Sequence, residues 1–275
     1  MAYIPLIARV SSLPPLPESV LKIESLYASN DPDIDDVVKI IEGDPALTAD
    51  ILVKVNAPFY GFSKKIVNIL QAVTLFGATQ IRSIVLSSSI NRAFDIDLSP
   101  YNISTLEFSK ISMIQSELAF QWYMGINIET ARKLTPIAFL METGKIFIAK
   151  EIIQEDKTAL FLSDSLKYKD ISYVENIYTS MTTAQINAII FEHLNLNETF
   201  YETMKYLDIE KEIPKNMQTI EDIIIALRVV RAAINIQDQL NDYSLKNAFK
   251  ILEANSLDVE AFKRVVKRVK RKHFE

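Results

Sequence analysis

The sequence predicts an all-α protein, a multi-helix bundle. Three observations lead there. Apolar residues recur at helical spacing over most of the chain, as in Leu47, Ile51, Leu52 and Val55, and a helix is the element whose single face such spacing buries. Alternating apolar and polar runs of strand length are missing. Glycine is scarce, at 5 in 275 residues, and Gly43, Gly77, Gly125 and Gly144 each follow an apolar-periodic segment, where a helix ends.

Residues 1–10 read as a lead-in that docks or frays. Leu13-Pro14-Pro15-Leu16-Pro17 is stiff and extended, because proline fixes φ and restricts the residue before it. A helix is expected over about 18–28, with Val20, Ile23 and Leu26 inward. Asp31-Pro32-Asp33 opens the next, which carries Ile34, Val37, Val38 and Ile41 to a stop at Gly43. Asp44 can cap a helix whose first turn begins at Pro45, since proline lacks the N–H that would go unpaired there. After the turn at 56–61, where Gly61 can adopt a left-handed conformation, Ile66, Leu70, Val73 and Leu75 are the expected buried face of a helix ended by Gly77. Ile81, Ile84, Val85 and Ile90 stripe the following one. A polar stretch at 95–104, containing Pro100, reads as a hinge. Beyond it helices are expected over about 105–124, about 129–141, after Gly144, and over about 184–193 and 198–206. Residues 220–236 are strongly apolar, and 259–272 form a basic amphipathic helix. The organisation expected is a helical lobe over about 8–100, a second over about 104–210, and a C-terminal helical segment, 211–275, packing on or extending them.

A hydrophobic content of 49% and a charged content of 24% fit a water-soluble globular chain with a substantial core. The formal net charge of −5 gives no reason to expect general nucleic-acid binding. The absence of cysteine excludes disulfides, thiolate metal sites and cysteine nucleophiles, and suits a reducing compartment. No apolar run has the length of a membrane span: Ile223-Ile224-Ile225-Ala226-Leu227 stops at Arg228. With no basic region leading into a long apolar one at the N-terminus, the chain reads as cytoplasmic. No Gly-rich phosphate loop supports a Walker-type or Rossmann-type nucleotide site, and no cofactor is expected.

The stretch from 44 to 77 carries more than helix signals. It contains Asp44-Pro45-Ala46-Leu47, then Asn56 before a small-residue turn ending in Tyr60-Gly61, then Gln71-Ala72-Val73 followed by Gly77. With the upstream Leu13-Pro14-Pro15-Leu16-Pro17, this ordered set closely resembles the HDOD family, and the resemblance extends over residues 13–208, within a domain expected at 8–210. It implies an HD-domain-like helical fold related to metal-dependent phosphohydrolases. Asp44, Pro45, Leu47, Asn56, Gly61, Gln71, Ala72 and Gly77 are the motif residues, and structural roles are expected for them.

The resemblance also implies where HD-type metal ligands would fall. The adjacent His-Asp pair of those enzymes aligns with Met141-Glu142, within Ala138-Phe139-Leu140-Met141-Glu142-Thr143-Gly144-Lys145. An upstream histidine aligns with Ile111, a later one with Thr183, and a final His-His pair with Leu207-Asp208. Isoleucine and leucine offer no ligand atom, and a thioether is a poor ligand for hard divalent ions. The alignment further implies that Phe108, Ile111, Met141 and Leu207 converge in or beside one filled pocket. No metal is expected. Glu142 reads as a helix-end or ion-paired carboxylate, His193 as a surface residue and His273 as solvated.

Other features have ordinary readings. Asn56 suits a turn in which it bonds the local backbone. Trp122, with Phe120 and Tyr123, suits core packing. Asp31, Asp33, Asp35 and Asp36 lack EF-hand spacing and suit a helix N-terminus. The leader 13–17 could dock on a proline-binding module, but packing across the first helices is the expected role. Lys263, Arg264, Lys267, Arg268, Lys270, Arg271 and Lys272 make a basic surface that is either a solvated helix end or a partner site.

The function the resemblance implies is a non-catalytic regulatory or interaction module of bacterial signal transduction, acting through a signalling protein partner or a small ligand. The alternative is a divergent metal-dependent phosphohydrolase acting on a nucleotide or cyclic dinucleotide. A weaker third reading, from the basic helix, is a nucleic-acid or membrane-surface binder.

Overall fold

The computed structural model describes residues 3–28, 32–92, 96–208, 213 and 218–274. Among these the structure is all-α: no strand forms, and the only extended pairing is an isolated bridge between Ile234 and Gln239. The chain divides into two compact units, 14–95 and 1–13 with 96–275. Residues 8–13 and 96–100, expected in the first lobe, thus belong to the larger unit.

The opening helix α1 (Tyr3–Ser11) belongs to the larger unit, with Leu6 and Val10 buried, so the lead-in is docked. The smaller unit comprises α2 (Glu18–Ala28), α3 (Ile34–Glu42), α4 (Pro45–Val55), a 3₁₀ turn (Pro58–Tyr60), α5 (Ile69–Phe76) and α6 (Ala78–Asn91). Asp33 caps α3 by accepting from the Asp35 N–H at 2.9 Å; Asp31 lies outside the described residues. Asp44 caps α4, accepting from the Leu47 N–H at 3.0 Å and from the Ser19 hydroxyl at 2.7 Å, so one carboxylate also ties α4 to α2. Asn68 caps α5 through the Gln71 N–H at 2.8 Å, while the Gln71 side chain accepts from the Val67 N–H at 3.2 Å. Gly61 (φ +67°) closes the 3₁₀ turn, and Gly77 (φ +80°) turns the chain between α5 and α6. A side chain at either would be strained in this left-handed region.

The face of α5 differs from expectation. Leu70 and Leu75 are half-exposed, at 50% and 51%, whereas Ile69, Ala72 and Val73 are buried. Ile66, although buried, precedes the helix, so counting from it set the wrong rotational phase. In its place Ile66 is held by Asn56, whose Nδ2 donates to the Ile66 carbonyl at 2.8 Å and to that of Leu52 at 2.7 Å, while its Oδ1 accepts from the Ile66 N–H at 2.8 Å. Asn56→Ala is expected to cost about 1–3 kcal/mol, the desolvation of backbone groups left unpaired. Urea denaturation measures it, and a loss below about 0.5 kcal/mol, the range of an ordinary surface substitution, would refute the role.

The larger unit continues after a segment at 96–104. Expected as a polar hinge, this segment instead buries Leu98, Pro100 and Tyr101 around a 3₁₀ turn (Ser99–Tyr101), and Tyr101 stacks edge-on against Phe161 at 5.2 Å. Asp95 lies outside the described residues. The helices that follow are α7 (Thr105–Met124), α8 (Ile128–Leu140), α9 (Gly144–Gln154), α10 (Thr158–Lys167), α11 (Ile171–Thr179), α12 (Thr183–His193), α13 (Glu198–Leu207), α14 (Gln218–Ala233), α15 (Asp242–Ala254) and α16 (Val259–His273). The long α7, started by a Ser104–Glu107 capping box, packs against α8, α14 and α16. The basic α16 turns Phe262, Val265, Val266 and Val269 inward, and Trp122 of α7 meets Phe262 edge-on at 4.8 Å. His273 is not solvated: its side chain is 1% exposed and Nε2 lies 2.8 Å from Glu117, beside Lys272. The register that buries the valines also carries the helix end onto α7. His193 is exposed on α12, and its Nε2 donates to the Leu13 carbonyl at 3.1 Å.

Candidate functional site

The site is built at the junction of α8 and α9. Helix α8 ends at Leu140, residues 141–143 turn, and α9 begins at Gly144 pressed against the start of α12. Gly144 therefore begins a helix, which its position after an apolar run did not suggest. A Cβ there would lie 2.5 Å from the Thr183 carbonyl oxygen, so only glycine fits. Asn187 clamps the turn: its Oδ1 accepts from the Gly144 N–H at 2.7 Å, and its Nδ2 donates to the Met141 carbonyl at 2.6 Å. So held, Glu142 and Lys145, three residues apart, are both buried.

Lys145 sits among acceptors. Its Nζ lies 2.8 Å from Glu142 Oε2, 3.0 Å from Glu175 Oε1 and 3.1 Å from Thr183 Oγ1. The three charged side chains are 4%, 2% and 0% exposed. Glu175 also accepts from the Tyr101 hydroxyl at 3.0 Å, the Thr183 hydroxyl at 2.8 Å and the Thr183 N–H at 2.7 Å. Glu142 accepts from Gln115 Nε2 at 3.0 Å, and that amide also donates to the Ile234 carbonyl at 2.9 Å. Next to this cluster Asp208 accepts from Arg231 and from the Thr182 hydroxyl. Arg228 donates to the Tyr206 and Leu207 carbonyls at 2.7 and 3.2 Å, closing the C-terminal end of α13.

Burial opposes the charges of Glu142, Lys145, Asp208 and Arg231, and pairing outweighs it. Burial raises the Glu142 carboxyl, but the Lys145 ammonium brings it below the ordinary value. Burial depresses the Lys145 ammonium, but Glu142 and Glu175 hold it above its usual range. The same opposition leaves Asp208 lowered beside Arg231. The Tyr101 phenol is pushed well up by burial and by the Glu175 charge, so it remains a donor.

Above the cluster opens a cleft of about 600 Å³ whose lining includes Glu142, Lys145, Asp208 and Arg231, with further residues from α14, α15, the connection between them and the start of α11. Of the positions singled out in the sequence, Glu142, Leu207 and Asp208 border it, and Thr183 joins it through Lys145. Phe108 and Ile111 are buried on α7 and Met141 in the turn, and none of the three borders the cleft. Ile111 lies one turn before Gln115, on the face of α7 that reaches Glu142. The motif residues Asp44, Pro45, Leu47, Asn56, Gly61, Gln71, Ala72 and Gly77 all lie in the smaller unit. On α16, Lys263 pairs with Glu260 and Lys272 with Glu117, Lys270 is half-buried, and Arg264, Lys267, Arg268 and Arg271 are exposed. Sequence reasoning missed Lys145, although it stands in the aligned motif three residues after Glu142. It also missed Tyr101, Gln115, Glu175, Thr182 and Arg231, for which no motif signals a site.

Residues 13–209 match the HDOD domain family. The chain belongs to that family. Solved structures share the fold of this HDOD protein. A virulence factor from Campylobacter jejuni is 23% identical with a TM-score of 0.60, covering 100% of this chain and 98% of that one. A protein from Shewanella amazonensis, described as a candidate phosphohydrolase, is 18% identical at 0.63, covering 98% and 94%. A candidate signal transduction protein from Marinobacter aquaeolei is 18% identical at 0.67, covering 95% of this chain and 58% of that one. At these identities the likeness establishes the fold. An uncharacterized Treponema pallidum protein is 30% identical over 84 residues, a match spanning 30% of this chain but only 16% of that protein.

The resemblance to metal-dependent phosphohydrolases implies a divalent metal, and the residues at the positions it aligns do not fit one. Glu142 is engaged by an ammonium at 2.8 Å, while Ile111, Met141 and Leu207 present hydrocarbon or thioether. Among the described residues, no group of three or more His, Cys, Asp or Glu is placed to hold a metal ion. Among the same residues, no single helix is long and apolar enough to cross a membrane.

Proposed function

We propose that this HDOD protein is a non-catalytic regulatory module of bacterial signal transduction, working by binding a protein partner or a small ligand. The observation that carries the reading is the buried ammonium of Lys145, which contacts Glu142 and Glu175 at 2.8 and 3.0 Å. An ammonium neutralises the carboxylates but cannot activate a water as a metal does. Family membership and the signal-transduction description of one structural relative support the same reading. The phosphohydrolase description of another supports the alternative, a divergent enzyme acting on a nucleotide or cyclic dinucleotide.

Elemental analysis of protein purified without chelator, with turnover assays in Mn²⁺, Mg²⁺ or Fe²⁺ against mononucleotides and cyclic dinucleotides, separates the two. The expected result is substoichiometric metal and no turnover. Stoichiometric metal, with turnover abolished in a folded Glu142→Gln variant, would establish the enzyme instead.

A further inference from the structure

The cleft above the charged cluster has an uneven supply of hydrogen-bonding groups. Its carboxylates are engaged. Glu142 binds Lys145 and Gln115, Asp208 binds Arg231 and Thr182, Asp170 caps α11 through the Ser172 and Tyr173 N–H groups, and Asp238 accepts from Asn241. Several donors are not. Among the described residues, Arg231 bonds only through Nη2, leaving Nε and Nη1, and neither Lys250 nor Asn247 has a hydrogen-bond partner. The Lys169 ammonium lies over the Tyr243 ring, with its Nζ 4.5 Å from the centroid. Tyr243, Asn247, Lys250 and Ala254 follow at i, i+4, i+7 and i+11, so α15 turns one face to the cleft. Ile236, Ile251 and Ala232 add apolar wall.

We infer that this cleft binds a small organic anion carrying at least two negative charges, the chemistry shared by phosphate esters and dicarboxylates. The oxyanion takes the remaining guanidinium edge of Arg231 and the Lys250 ammonium, a geometry guanidinium groups favour. The organic body lies against Ile236 and Ile251. A volume of about 600 Å³ is that of a small-molecule site rather than a single-ion site. The assignment deepens the regulatory reading and rests on it in one respect: the ligand is held and released unchanged.

The test is calorimetric titration of the full chain with pyrophosphate and with succinate, each against sodium chloride at matched ionic strength. At least one of the two anions should bind and raise Tm beyond the salt control, and the one that does identifies the phosphate or the dicarboxylate class. Lys250→Gln, at an exposed position on the cleft-facing side of α15, should weaken binding about three- to tenfold, the loss of a partly exposed charge-assisted hydrogen bond. Asn247→Ala should weaken it with the fold intact by circular dichroism. Binding by neither anion, or affinity unchanged in both variants, overturns the cleft and leaves the regulatory reading standing. Pyrophosphate that binds and is converted to phosphate supports the cleft and overturns the regulatory reading.

Discussion

Replacing Lys145 with methionine is expected to destabilise the protein by about 3–5 kcal/mol, the cost of breaking a buried ion pair from one side. Methionine keeps most of the volume but leaves Glu142 and Glu175, 2% and 0% exposed, without the charge that holds both. The loss should vanish toward acid. Glu142 has a depressed folded pKa, so its contribution is present above the unfolded value of about 4.3 and lost as pH falls through the folded one. Lys145 has a raised folded pKa, so its contribution is complete below about 10.4 and lost as pH rises through the folded one. The difference between wild type and variant should thus be greatest between those limits. Combining Lys145→Met with Glu142→Gln and Glu175→Gln should restore much of the stability, because an apolar or neutral replacement of a whole buried cluster costs far less than one missing partner. Guanidinium denaturation across pH measures this. A single-variant loss below about 1 kcal/mol, typical of an exposed pair, would mean the cluster is not the buried triad described.

Gly144→Ala is the second large effect. In an exposed helix alanine is favoured over glycine by about 1 kcal/mol, but here the added carbon lies 2.5 Å from the Thr183 carbonyl oxygen and 3.2 Å from its Cα. Backbone cannot rotate aside as a side chain can. Helix α9 must retreat from α12, weakening the Gly144–Asn187 hydrogen bond and the approach of Lys145 to Glu175. The expected loss is about 3 kcal/mol or more, at the upper end for overpacking. Thr183→Ser should not relieve it, because the obstructing atoms are main chain. A Gly144→Ala protein as stable as wild type in urea would refute the contact.

The sequence alone determined the helices whose caps and apolar faces agree. Residues 18–28 and 105–124 were readable because Val20 and Ile23, or Phe108, Ile111 and Leu118, recur behind a clear start. Helices α10, α11 and α15 were not. The buried residues of α10 are Phe161 and Ser165, those of α11 are Val174, Glu175 and Thr179, and those of α15 are Ser244, Ala248 and Leu252. Each inward face has a single large apolar residue, Phe161, Val174 or Leu252, beside serine, threonine, alanine or a glutamate, which leaves no apolar period to follow. The same holds at the site. Met141 and Glu142 were singled out through the family resemblance, whereas Lys145 lay in the same motif without being recognised. The identity of the partner for Glu142 depended on Gly144 admitting close contact with α12, and on Glu175, Gln115 and Arg231 arriving from separate helices. Helix periodicity is a local property and is written in neighbouring residues. Charge compensation in a core depends on which distant side chains share the same low-dielectric space, and only the tertiary structure decides that.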